Sequence, residues 1–437
     1  MSIWIETKLK ESEIGKIPLD WSCTTLNKIA DINPKPIKLD SDDIEVSFVG
    51  MADVSESAKL MNTTNRLYGE VKKGFTSFQD NDVLVAKITP CFENGKGALV
   101  CNLTNGIGFG STEFHVIRAK EQKGCPEFIH HITTTHNFRV KGEMNMTGTA
   151  GQKRVGKDFI ASYLIACPPF VEQQKIAEVL STVDKKIDLI DQKIAETEKL
   201  KTGLMQKLFS EGVGVQDENG NWQPHTEFQD NGLPMHWSFL KLGSVAKVTS
   251  GGTPSRKKAS FWENGTIPWI TTGEVNFNCI TNSSQKITDE GLKNSAAKMF
   301  PPDTILMAMY GQGQTRGRVA MLGIEASTNQ ACAAIICSKK LNPHFCYHYL
   351  SSQYEKIRTI GNEGSQKNLN GQILKDILIP CPNLEEQEQI ALVLSTVDEK
   401  ITLLAKQKSE TQKLKKGMMQ KLLTGEWRVP VEETEAA

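Results

Sequence analysis

Residues 167–190 read CPPFVEQQKIAEVLSTVDKKIDLI, and residues 381–404 read CPNLEEQEQIALVLSTVDEKITLL. Aligning residues 165–210 with residues 379–424 needs no gap and leaves about 26 of 46 positions identical, so the chain contains a duplication. In the first copy a seam runs through Ile176, Leu180, Val183, Ile187, Ile190, Ile194, Thr197, Leu200 or Lys201, Leu204 and Leu208. The steps of four and three are those of a heptad helix. The second copy repeats the seam with Ile390, Leu394, Val397, Ile401 and Leu404, passes through polar Lys408 and Thr411, and resumes at Met418 and Leu422. Pro168, Pro169 and Pro382 stand where a helix start has no use for an N–H, and Glu172, Glu385 and Glu386 suit the positive end of the helix dipole. At 1.5 Å per residue each helix spans roughly 55–60 Å. A helix this long outruns its own small domain, and the obvious partner for its seam is its copy. The expected arrangement is an antiparallel coiled coil with a globular domain at each end.

Outside the helices the copies diverge. Pro18, Trp21, Ser22 and Leu26 match Pro234, Trp237, Ser238 and Leu242, and Pro126 and Phe128 match Pro343 and Phe345. Between such anchors little is shared. Apolar runs at residues 82–88, 113–119, 303–310 and 331–337 predict strands bounded by Gly, Asn and Pro turns, and helices are expected to start at Pro126 and Pro343. The fold class is α+β: two strand-rich domains, each followed by a long helix, in a pseudo-twofold repeat. The expected boundaries are 1–166 and 236–380 for the domains, 167–211 and 381–424 for the helices, 212–235 for a linker and 425–437 for an acidic tail.

The chain has 437 residues and 39% hydrophobic content, enough for two or three cores. It has no run of about 18 apolar residues, and its first residues lack the apolar core of a secretory signal, so a cytoplasmic protein without membrane contact is expected. Its ten cysteines form no CxxC pair, which argues against a zinc site. His344 and His348 share a helix face but read as ordinary helix residues. The formal net charge is zero, yet residues 236–380 carry 16 lysines and arginines against 9 aspartates and glutamates. The first domain is balanced, so the basic signal is local.

No catalytic pattern stands up. Cys167, Pro168, Pro169 and Phe170 approach an amino-methyltransferase motif, but a thiol is a poor partner for a target amino group, and no glycine-rich fingerprint follows a strand to hold a methyl donor. No phosphate-binding GxxxxGK[ST] loop exists.

The order of domain, helix, domain, helix resembles the specificity (S) subunit of type I restriction-modification enzymes. The resemblance covers nearly the whole chain. It is carried by IPxxW at residues 17–21, with Leu233 replacing Ile in the second copy, by the Gly and Gln-Lys stretches at residues 151–153 and 364–367, and by the helix starts at residues 169–184 and 382–398. It implies two target-recognition domains, each reading half of a bipartite site in double-stranded DNA. It also implies spacer helices that dock two methyltransferase (M) subunits, with restriction and translocase (R) subunits joining the complex. The chain itself would be non-catalytic and bind no cofactor or metal. S-adenosylmethionine, ATP and Mg would sit on the partners, and the complex would methylate adenine and cut DNA. Polar Lys408 and Thr411 imply locally looser helix pairing.

Chemistry and position select the DNA-contact candidates. In the first domain they are Lys87, Thr89, Glu93, Asn94, Lys96, Thr112, Gln152 and Lys153. In the second they are Gln312, Gln314, Arg316, Arg318, Asn329, Gln330, Gln366 and Lys367. Partner-contact candidates are Ile176, Leu180, Val183, Ile187, Ile390, Leu394, Val397 and Ile401. Two rival readings are a coiled-coil scaffold with no DNA role and a self-contained DNA methyltransferase or nuclease.

Overall fold

The computed structural model describes residues 8–149, 151–311, 314–360 and 368–430. The chain divides into two compact units: residues 1–191 with 407–437, and residues 192–406. Both divisions fall inside the long helices, so each unit combines a globular part with segments of both.

In unit 1 the main strands are β1 (Ser22–Thr25), β2 (Ala30–Ile32), β3 (Glu45–Val49), β4 (Thr64–Leu67), β5 (Thr76–Gln79), β6 (Asp82–Ala86), β7 (Gly97–Leu99), β8 (Ile107–Gly110), β9 (Phe114–Ala119) and β10 (Leu164–Cys167). They form sheets ordered β4-β3-β8-β5 and β2-β9-β6-β7, with β10 pairing β1. Helix α1 (Pro126–Thr134) starts with its proline in the first turn. The run in β6 does not alternate because both of its faces are buried: Val83 and Val85 enter one core, Leu84 and Ala86 another.

Unit 2 repeats this plan. Its main strands are β11 (Ser238–Lys241), β12 (Ala246–Ser250), β13 (Ile267–Ile270), β14 (Cys279–Ile280), β15 (Gln285–Ile287), β16 (Met299–Phe300), β17 (Ile305–Ala308), β18 (Val319–Leu322), β19 (Ala326–Thr328), β20 (Cys332–Cys337) and β21 (Leu378–Cys381). The sheets are β15-β13-β19-β16 and β12-β20-β17-β18-β14, with β11 pairing β21. Apart from the added β14, each of these strands has its counterpart, including the parallel pairs of β3 with β8 and β13 with β19. Strand β17 sends Ile305 and Met307 to one core and Leu306 and Ala308 to the other. Helix α2 (Pro343–Ser352) matches α1 and is capped by Asn342, whose side chain accepts from the Phe345 N–H.

The long helices cover Phe170–Leu208 and Leu384–Leu422, each 39 residues or about 58 Å. In unit 1, Asp184 pairs with Lys415 at 2.6 Å and Asp191 with Lys408 at 2.5 Å. A step of seven forward on one helix is seven back on the other, so the segments run antiparallel. In unit 2, Lys201 meets Asp398 at 2.6 Å, while Leu204 and Leu208 from the end of the first helix share a core with Ile390 and Leu394 from the start of the second. Lys408 therefore does not leave the seam open; Asp191 closes it. Thr197 and Thr411 are buried at equivalent positions and each donates its hydroxyl to the carbonyl four residues back.

One contact joins globular part and helix in both units. The Trp21 indole donates to Glu172 Oε2 at 2.9 Å, and the Trp237 indole donates to Glu386 Oε2 at 2.9 Å. Each glutamate is 2% exposed, and a buried carboxylate needs further donors. In unit 1 Arg428 supplies them, at 2.7 Å to Glu172 Oε2 and also to Asp20. In unit 2 the backbone N–H groups of Val213 and Gly214 reach Glu386 Oε1 at 3.0 and 3.1 Å, and the His225 ring lies 2.9 Å from it. The tight turns beside the pairs use Gly425 (φ +75°) and Gly212 (φ +70°), where a Cβ would lie 2.4 Å from Pro18 and 2.2 Å from Glu386. The next helix residue stitches too. Gln173 accepts from the Cys125 N–H at 2.9 Å, and Gln387 from the Asn342 N–H at 2.8 Å.

Arg428→Ala should destabilise unit 1 by about 3 kcal/mol, because it leaves a buried carboxylate without its cation. Adding Glu172→Gln should recover part of the loss, since a neutral amide still accepts the indole N–H. Urea unfolding of the single and double variants measures both, and a single-variant loss below about 1 kcal/mol would discount the ion pair.

Buried His131 on α1 and His348 on α2 occupy equivalent positions, against the ion pairs of Lys415 and Lys201. Burial, reinforced by those lysines, lowers each ring from 6.5 to about 3. Between these values the unfolded chain binds the extra protons, so the stability contribution is complete above pH 6.5 and is lost as pH falls towards 3. The expected slope is about 1.4 kcal/mol per pH unit for each histidine. His131→Leu and His348→Leu should flatten the change in urea midpoint between pH 7 and pH 4.5; an unchanged slope would exclude this linkage.

Candidate nucleic-acid interface

In each unit several strands of the two sheets stop at a common rim, and the loops beyond them carry most of the candidate residues. In unit 1 the segment after β6 runs antiparallel to residues 153–155: Thr89 N–H donates to the Lys153 carbonyl and Val155 N–H to the Lys87 carbonyl, both at 2.9 Å. The peptide from Thr89 to Pro90 is cis. Arg139 holds this loop from beneath. Its buried guanidinium donates to the carbonyls of Phe92 at 3.0 Å, Gly95 at 3.2 Å and Thr133 at 2.8 Å. Burial lowers Arg139 to about 10, which leaves it charged at neutral pH. Gly95 (φ +86°) passes so close to the Glu56 carbonyl that a Cβ would lie 2.7 Å from it.

Half of the unit 1 candidates serve this loop. The Thr89 hydroxyl donates to Glu93 at 2.5 Å, the Asn94 amide to Glu56 at 3.0 Å, and the Lys96 ammonium to the Met51 carbonyl at 3.0 Å. Thr112, Gln152 and Lys153 are exposed and Lys87 is half-buried. Beside them Arg154 grips Glu113 with two nitrogens, at 3.0 and 2.9 Å, and this bond holds the Glu113 carboxyl below its ordinary range. Arg139, Arg154 and Glu113 were not singled out from the sequence. Isolated charged residues on apparent helix or strand ends give no sign that they orient a loop.

In unit 2 the ends of β12, β13, β17 and β19 meet. Gly252 N–H donates to the Thr328 carbonyl at 2.9 Å, Asn329 N–H to the Ile270 carbonyl at 3.0 Å, and Met309 N–H to the Ala331 carbonyl at 2.8 Å. Asn329 spends its side-chain oxygen on the N–H groups of Ala331 and Cys332, both at 3.1 Å, so it shapes the turn. Gln330 is exposed and accepts from the Thr253 hydroxyl. Arg316 and Arg318 are half-buried; Arg316 donates to the Arg358 carbonyl, and Arg318 lies 3.5 Å from the exposed Gln314. The Tyr354 hydroxyl donates to the Gln314 carbonyl and fixes the loop to the helix that follows α2. Gln312, Gln366 and Lys367 lie outside the described residues.

The partner-contact candidates sit inward. Ile176 and Leu180 are wholly buried in the unit 1 core with Leu422, and Ile390 and Leu394 in the unit 2 core with Leu208. Ile187 is buried, and Val183, Val397 and Ile401 are half-buried along the helices. Their position suits helix packing and leaves them little surface to offer. Among the described residues, no group of three or more His, Cys, Asp or Glu could hold a metal ion, and no helix is long and apolar enough to cross a membrane.

The family described as Type I restriction modification DNA specificity domain matches residues 18–199 and again residues 234–413. The chain belongs to this family. Among its relatives is the putative type I restriction enzyme MjaX specificity subunit of Methanocaldococcus jannaschii, 25% identical over 98% of this chain and 99% of that one. The type I restriction enzyme EcoAI specificity subunit of Escherichia coli is 34% identical over 51% of this chain. That match spans only 38% of the Escherichia coli protein. In fold the chain is similar to the type I restriction-modification S subunit from M. genitalium, with a TM-score of 0.58 at 15% identity over 96% of this chain and 99% of that one.

Arg139→Met should loosen residues 88–96 by stranding three carbonyls, at about 3 kcal/mol. Hydrogen–deuterium exchange should then rise in that loop and stay unchanged at the unit 2 rim. Unchanged protection of residues 88–96 would remove Arg139 from this role.

Proposed function

We propose that this chain is the sequence-reading, non-catalytic subunit of a type I restriction-modification complex. The observation that carries the reading is that one fold occurs twice, each copy matched by the same family, with near-constant helices and divergent rims. Residues 1–166 and 236–380 would each read one half of a bipartite duplex site, through different rim side chains. Polar groups suited to base edges and phosphates lie at both rims, and the second domain as a whole has the excess of cations.

The helices, residues 167–211 and 381–424, would dock the partner subunits. Leu189 and Leu403 are equivalent in the repeat, as are Leu200 and Leu414, and all four are mostly exposed. Repeated apolar positions of this kind suit two copies of one partner, the methyltransferase subunit. Restriction subunits would join the same assembly. S-adenosylmethionine, ATP and Mg would belong to those partners, and the complex would act on DNA in the cytoplasm.

The test is methylome sequencing of a host that expresses the chain with its methyltransferase partner. Replacing residues 236–380 by the corresponding segment of a divergent relative should change one half of the methylated motif and keep the other. A change in both halves, or in neither, would refute the assignment of one half-site per domain. Methyl transfer to DNA by the purified chain alone would refute the non-catalytic reading.

A further inference from the structure

Both units carry an exposed arginine stacked on a ring that belongs to a perpendicular aromatic pair. In unit 2 the Arg256 guanidinium lies 3.6 Å from the centre of the Trp262 ring and 4.9 Å from that of Trp269. Those two rings meet edge to face, 5.0 Å apart at 90°. In unit 1 the Arg66 guanidinium lies 3.7 Å from the centre of the Phe48 ring, which meets Phe75 edge to face, 5.0 Å apart at 88°. Phe48 and Trp269 are the penultimate residues of counterpart strands, β3 and β13. The arginines come from unrelated places: Arg66 from β4, Arg256 from the loop after β12. Similar geometry is thus built from different residues on a shared strand framework.

Each arginine is held over its ring and is still exposed to solvent as a residue. Stacking fixes its plane, and in unit 2 Arg256 also donates to Gln285 at 2.6 Å. Arg66 and Arg256 are exposed, and neither takes part in an ion pair among the described residues. The neighbouring Glu45 is 3.5 Å from the Asn65 amide. Lys257 and Lys258 follow Arg256 and are also exposed. The Thr253 contact with Gln330 puts this segment at the unit 2 rim.

A feature kept while the rims diverge suits a ligand that is the same for every sequence read. In a duplex that is the sugar–phosphate backbone, whereas base edges differ from site to site. Resting on the DNA-reading function proposed above, we infer that Arg66 and Arg256 are backbone clamps, each taking a phosphate of the duplex bound at its own unit. Sequence discrimination stays with the rim loops.

The experiment measures binding of the full chain to a labelled 40-base-pair duplex pool of random sequence between 50 and 200 mM KCl. Arg66→Ala and Arg256→Ala should each flatten the plot of log affinity against log salt by about 0.9 units, and the double variant by about twice that. Arg66→Lys and Arg256→Lys should keep most of the slope. The sequences that each variant enriches from the pool should match those of the unaltered chain. A double variant that stays folded with an unaltered slope would reduce the stacks to structural props and overturn the inference. So would an altered set of enriched sequences with the slope retained, which would make the arginines base readers. If the double alanine variant unfolds, Arg66→Gln with Arg256→Gln keeps the side-chain stems over the rings and decides by the same readings. Failure of the unaltered chain to bind any duplex would sink the DNA-reading function itself, and this inference with it.

Discussion

The indole of a tryptophan and the carboxylate of a glutamate, both out of water, hold each half of this protein together. Trp21 with Glu172 and Trp237 with Glu386 fasten the globular part to the first turn of a long helix. One indole N–H cannot satisfy a buried carboxylate, so each pair recruits more donors. The halves meet that need differently. Unit 1 uses an arginine from the end of the chain, and unit 2 uses two backbone N–H groups and a histidine from the segment after the first helix. The identical residues fix the pair, and the variable ones close over it. This explains why Glu-Gln survives in both copies: the glutamate holds the tryptophan, and the glutamine holds the loop that leads into α1 or α2.

The helices and the buried strands were legible because their signals are periodic and repeat. Steps of four and three located the seam, and unbroken apolar runs located β6, β9, β17 and β20. Sequence also marked Trp21 and Trp237 as shared, but their bond to a glutamate some 150 residues away is a tertiary fact. Lys408 looked like a flaw in the seam because its partner, Asp191, stands on another helix. Of the seam residues proposed for outside partners, Ile176, Leu180, Ile390 and Leu394 lie in the cores, since periodicity reveals an apolar face and is silent about what covers it.

The rims were harder to read for a chemical reason. Asn, Gln, Thr and short acidic side chains that suit base edges are also those that close turns. Thr89, Glu93, Asn94 and Asn329 are engaged in holding their own loops. Composition cannot separate the two uses, because the hydrogen-bonding capacity is the same in both. The stacked arginines were missed for a related reason. Arg66 depends on a ring 18 residues away, Phe48, and Arg256 on Trp262 and Trp269, 6 and 13 residues away, and nothing in either spacing says that the chain folds the two together.

The way the strands are buried explains how the halves can diverge at the rims and still share a fold. In β6 and β17 successive side chains enter cores on opposite faces, so nearly every position is committed to packing. A polar replacement there would strand a hydrogen-bonding group, and a smaller one would open a cavity. Beyond the strand ends those constraints lapse, provided the loop still returns to the same anchors. Arg139 beneath one loop and the Tyr354 hydroxyl beside the other show how different residues can meet that condition. Variation is thereby channelled to the surface proposed to meet DNA, while the seam and the Trp–Glu pair, which hold the frame, change little.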